Sequence, residues 1–100
     1  MVKHIICWKL KETSSEEEKQ KILAGIKAGL EGLDGKIPGL LSIHVVTEGL
    51  LSSSADCMLD STFADEAALK RYSVHPLHQA AANTFVRPFT QIRLSMDYKV

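Results

Sequence analysis

The chain has 100 residues, 45% hydrophobic and 24% charged, a balance that suits one packed domain and excludes disordered, fibrous and membrane-spanning proteins. Twelve Lys and Arg offset twelve Asp and Glu, so no net field draws in DNA, RNA or an anionic membrane, and neither nucleic acid nor membrane is an expected partner.

Val2, His4, Ile6, Trp8 and Leu10 alternate with Lys3, Ile5, Cys7 and Lys9, the period-two pattern of a strand over residues 2–10. Ser14 and Ser15, each followed three residues later by Glu17 or Glu18, offer two overlapping capping boxes that open a helix through Ile22, Ile26, Leu30 and Leu33. Gly25, Gly29 and Gly32 form a smooth stripe along it, expected to let the helix lie close to a sheet. Lys36-Ile37-Pro38-Gly39 turns the chain into a second strand, with Leu41, Ile43 and Val45 on one face. Gly49 to Ser54 reads as a loop, and a third strand sets Ala55, Cys57, Leu59 and Ser61 against Asp56, Met58 and Asp60.

Asp65-Glu66 starts a short helix ending near Tyr72, and His75-Pro76 restarts it, because proline suits the first helical position. Leu77, Ala80, Ala81, Thr84 and Phe85 recur at helical spacing until Arg87-Pro88. A last strand places Ile92, Leu94, Met96, Tyr98 and Val100 opposite Gln91, Arg93, Ser95 and Asp97.

The order β-α-β-β-α-β predicts one ferredoxin-like α+β domain over residues 1–100, a four-stranded antiparallel sheet with helices on one face. Giving the helices the more apolar side of every strand leaves Ile5, Cys7, Val46 and Met58 on the other face, among His44, Asp60, Arg93 and Asp97. A second copy packed face to face would cover that surface. The expected homodimer interface centres on Ile5, Cys7, His44, Met58, Asp60 and Arg93, with Arg93 meeting Asp60 or Asp97.

Cys7 and Cys57 sit in apolar runs without CxxC or Cys/His spacing, so both read as reduced thiols. With no signal-peptide pattern at the N-terminus, a cytoplasmic location is expected. No cofactor is expected. His75 and His78 lack the HExxH or paired-carboxylate context of a metal site, so no metal is expected either.

Several segments carry a family resemblance: Val2-Lys3-His4-Ile5-Ile6 with Trp8-Lys9-Leu10, Lys36-Ile37-Pro38-Gly39-Leu40, Tyr72-Ser73-Val74-His75-Pro76-Leu77-His78-Gln79, and Asp97-Tyr98. Together they resemble the stress-responsive A/B barrel (Dabb) family, whose members are dimeric α+β barrels. Plant members include boiling-stable stress proteins and olivetolic acid cyclase, a polyketide cyclase. Most bacterial members, which this compact chain resembles more closely, have no established activity. In the cyclase, proton transfer is assigned to a histidine at the His78 position, assisted by a tyrosine at the Tyr72 position, so the resemblance implies Tyr72 and His78 as a catalytic pair. Where the cyclase has a pocket histidine this chain has Cys57, and Ala55-Asp56 stands where a Tyr-Asp pair is common. These departures weigh against carrying over the cyclase activity itself.

The residues themselves place Tyr72, His75 and His78 around one helix break, with His4 close by if the first strand runs beneath it. His78 falls in the first turn after Pro76, where the helix dipole keeps an imidazole neutral and basic, and a nearby phenol could orient it or donate to an oxyanion. His4, Cys57 and His75 are the candidate ligand contacts. The alternative is structural, with His75 capping the helix while Tyr72 and His78 satisfy backbone groups at the break. Two functions therefore stand side by side: a homodimer of undefined activity binding a small hydrophobic or aromatic ligand, or an acid–base enzyme acting on a small carbonyl compound.

Overall fold

The computed structural model describes residues 1–100. The alternation at the N-terminus becomes β1 (Val2–Leu10), which lies inside the sheet between β3 (Cys57–Phe63) and β4 (Thr90–Lys99), both antiparallel to it. With β2 (Leu40–Val46) outside β3, the strand order is β2-β3-β1-β4, and the fold is ferredoxin-like. Val2, Ile6 and Trp8 pair across to Phe63, Leu59 and Cys57, and these six buried side chains form the centre of the sheet's contribution to the core.

Helix α1 (Glu16–Glu31) begins where its cap dictates: the Ser15 hydroxyl accepts the Glu18 N–H at 3.1 Å, and the Glu18 carboxylate accepts the Ser14 N–H at 2.8 Å. It buries Leu23, Ile26 and Leu30 against the sheet. Asp65 caps α2 (Glu66–Val74) by accepting the Ala68 N–H at 2.8 Å, and α3 (Pro76–Ala81) follows the proline break. Beyond α3 the chain widens into a π-helical turn over Ala82–Val86, closed by an Arg87 N–H to Ala82 carbonyl bond of 2.8 Å. No helix is long and apolar enough to cross a membrane.

Three expectations are corrected. The glycine stripe does not face the sheet: Gly25 and Gly29 receive the Phe85 ring from the π-turn, so closely that a Cβ at Gly29 would collide with Phe85 Cδ2, while Gly32 lies against the Ala28 carbonyl of its own helix. In β2 a register shift between Leu40 and Ser42 lets Leu40 turn inward and leaves Leu41 half exposed, out of phase with Ile43 and Val45.

The third correction concerns β4. Its register sets Arg93 opposite Trp8 and Asp97 opposite His4, so Arg93 and Asp97 lie on the helix side, away from the face where a dimer contact was expected. Ile92, Leu94, Met96 and Tyr98 instead join Ile5, Cys7, Val46 and Met58 on the open face. Helices cover only part of an edge strand, so the apolar side of β4 is free to point the other way. Leu94 is 73% exposed and Met96 70%. His44 and Asp60 do pair on the open face, where Lys3 meets Asp60, and the His44 ring lies 3.1 Å from the Glu31 carboxylate at the β2 edge.

On β2, Val45 gives its N–H to the Glu31 carboxylate and its carbonyl accepts Lys27, both at 2.9 Å, so α1 shields that edge.

Candidate functional site

Helix α2 packs against β1, β2 and β3, α3 packs against α2 and α1, and a cavity of about 680 Å³ remains between the helices and the β1–β4 half of the sheet. That volume falls in the range of small-molecule sites. Ile6, Trp8, Leu30, Leu59 and Val86 supply its apolar wall, and His4, Tyr72, His78 and Asp97 its chemistry.

Tyr72 is 1% exposed and its ring packs edge-on to Phe63, with centroids 4.9 Å apart. The His78 ring centroid lies 4.2 Å from that of Tyr72, and the His4 ring centroid 6.3 Å. The Pro76 break creates this arrangement, because it folds the first turn of α3 back onto the last turn of α2. Burial pushes the Tyr72 phenol up to about 12, so it stays a neutral donor at physiological pH. Its hydroxyl has no hydrogen-bond partner in the protein. A buried, unspent donor costs about 1–3 kcal/mol, and a fold keeps one where something else uses it.

His78 Nδ1 sits 3.3 Å from the Ser73 carbonyl, which can only accept; the ring therefore carries its proton on Nδ1 and leaves Nε2 as a bare lone pair. Burial holds its pKa below the ordinary histidine value, the Ser73 carbonyl opposes this, and the nearby Arg87, His4 and Arg93 add to the lowering. Burial and neighbouring cations, more than the dipole of a six-residue helix, keep this imidazole neutral. Because the folded pKa is the lower one, the neutral ring's stabilisation is complete above the unfolded value of about 6.5 and is lost as pH falls from there through the folded value. Urea midpoints measured from pH 7.5 to pH 5 should fall more steeply for the wild type than for His78→Gln; parallel profiles would refute this.

The His4 side chain, 10% exposed, meets Asp97 through Nδ1, so the carboxylate fixes its proton on that nitrogen. Sequence spacing could not reveal this pair, which joins residues 93 positions apart. The remaining candidates lie elsewhere. His75 does not line the cavity; its Nδ1 accepts the Leu77 N–H at 3.1 Å and caps α3. Cys57 is buried opposite Trp8 outside the cavity, its thiol pushed up to about 12 by burial and then by Asp56 and Cys7, and so is unreactive. Asp56 is structural: its carboxylate accepts the Leu10 N–H at 2.8 Å and Lys19 at 3.2 Å, which overcome burial and hold its pKa down. No three His, Cys, Asp or Glu side chains converge as a metal cluster.

Chemically, a hydroxyl donor and an imidazole acceptor in ring contact are the parts needed to polarise a carbonyl and accept a proton next to it, with His4 and Asp97 as a second oriented imidazole.

Comparisons with known proteins agree with this architecture. A dimeric ferredoxin-like protein of unknown function from Bacteroides fragilis is 29% identical and superposes with a TM-score of 0.90, covering 99% of this chain and 95% of that one. A Dabb family protein from Mesorhizobium loti is 24% identical, with a TM-score of 0.74 over 99% of this chain and 95% of its own. The hydroxynitrile lyase of Passiflora edulis shares the fold at 19% identity and a TM-score of 0.70, covering 97% of this chain and 90% of that one. None of the curated proteins matches the chain in sequence. The family model of the stress responsive A/B barrel domain matches residues 2–100, and the chain belongs to that family.

Proposed function

We propose that this protein is a homodimer that binds a small carbonyl compound between its helices and β1–β4, and that His78 Nε2 takes a proton from it while the Tyr72 hydroxyl holds the resulting oxyanion. The observation that carries this reading is the buried Tyr72 hydroxyl, left without a protein partner beside a neutral imidazole in a cavity of about 680 Å³. The structural alternative requires both side chains to be spent on the backbone, and only His78 is partly so, through Nδ1. Pairing is supported by the apolar open face and by the dimeric description of the Bacteroides fragilis protein.

Tyr72→Phe separates site from scaffold. Removing an orphaned hydroxyl should leave stability unchanged or raise it by about 1 kcal/mol, whereas a hydroxyl with a hidden structural role would cost that much or more. A screen of small aromatic and aliphatic ketones by thermal shift should then find compounds that stabilise the wild type and lose their effect in Tyr72→Phe and His78→Gln. In deuterium oxide, the carbon next to the carbonyl of such a ketone should exchange its protons faster with wild type than with His78→Gln. Equal exchange with both proteins would refute His78 as the base; stabilisation that persists in both variants would refute the site.

A further inference from the structure

The charge around the cavity is lopsided in a way that the chain as a whole is not. Lys70 of α2, Arg87 after the π-turn and Arg93 and Lys99 of β4 line it, against the carboxylates of Glu66 and Asp97. Both carboxylates are already engaged: Glu66 pairs with Lys99 at 3.1 Å, and Asp97 with His4. Lys70, Arg87 and Arg93 take part in none of the chain's ion pairs. Arg87 is instead held in place by neutral acceptors, the side-chain oxygens of Gln79 at 3.0 Å and of Asn83.

Twelve cations balance twelve anions over the chain, yet three cations that take part in no ion pair gather at this one concavity. Low-dielectric walls focus such a field on whatever enters. Ile6, Trp8, Leu30, Leu59 and Val86 add an apolar lining, with Trp8 directly across the strands from Arg93, and Tyr72 adds a hydroxyl whose proton is still to be donated.

We infer that the ligand is an amphipathic organic anion, a small aromatic or aliphatic carboxylate whose body lies on the apolar wall and whose carboxylate meets the guanidinium groups of Arg93 and Arg87. An arginine fork matches the two oxygens of a carboxylate, and a single compact charged end leaves the rest of the ligand free to use the apolar wall. This inference rests on the reading of the cavity as a ligand site and adds the charge class of what it takes. A keto acid would satisfy both, with its carbonyl at Tyr72 and His78 and its carboxylate at the arginines.

The test uses matched pairs, 3-phenylpropanoate and 4-phenylbutanoate against their amides, with 2-phenylethyl phosphate as a third probe, titrated into the protein at neutral pH by NMR. The carboxylates should bind roughly tenfold or more tightly than the amides, as one charge-assisted contact would give. Arg93→Gln should cut that preference several-fold and leave amide affinity unchanged, and the double variant with Arg87→Gln should abolish it. Arg71→Gln, on α2 but outside the cavity lining, should change neither. Equal affinity for acid and amide, with shifts at Tyr72 and His78, would overturn the anion assignment and leave the ligand site standing. Tighter binding of the phosphate would overturn the choice of carboxylate. Silence from every probe at millimolar concentration would overturn the ligand site and this inference together.

Discussion

Leu94→Asp should split the proposed dimer into monomers at micromolar concentration. Leu94 lies opposite Cys7 on the open face, 73% exposed in the single chain, between Ile92 and Met96. Any partner packed on this face must cover it. Losing the leucine forfeits roughly 1.5–3 kcal/mol of apolar burial, and twofold symmetry counts the loss twice in each dimer. Together these weaken pairing by roughly a thousandfold, before the cost of burying an unpaired carboxylate is included. Light scattering and sedimentation at several concentrations would read the outcome. Lys21→Asp, an exposed change on α1, should remain dimeric. A Leu94→Asp protein still dimeric at low micromolar concentration would mean that the copies meet through another surface. Arg93→Asp, by contrast, should leave pairing largely intact, because β4 turns Arg93 toward the cavity.

Gly39→Ala should be among the most damaging single changes to the fold. Gly39 follows Pro38 in the turn before β2 with φ +84°, a conformation that disfavours any Cβ, and that Cβ would lie 2.5 Å from the Cβ of buried Ala68. Ala68 is fixed by α2 and cannot swing aside. The left-handed backbone costs roughly 1–2 kcal/mol, and the overpacking adds roughly 1–3 kcal/mol. For a domain of this size that lowers the Tm by more than about 10 °C. Gly35 separates the two contributions: it has φ +77° but open space where a Cβ would stand, with no atom within 4 Å, so Gly35→Ala should show only the backbone cost. Equal urea midpoints for the two variants would show that Ala68 yields.

Much of this was legible from local spacing. The capping serine at 15, the Asp65 cap and the Pro76 restart use neighbours within a few residues, and the structure places each helix start there. Tyr72 and His78 meet for the same reason, six positions apart around one break. The Phe85 ring could not be assigned to the glycine stripe in this way, since the π-turn that delivers it depends on how α3 packs against α1.

Element order, the family pattern and the inward face of β1 follow from the residues alone, because caps, breaks and a strongly apolar strand face are short-range properties. The facing of β4, the His4–Asp97 pair and the gathering of three cations outside any ion pair around the cavity depend on how distant strands and helices come together. Alternation marks two faces on a strand but does not say which one the helices cover. On an edge strand that the helices cover only in part, pairing register settles the question, and it exchanged the expected places of Arg93 and Leu94.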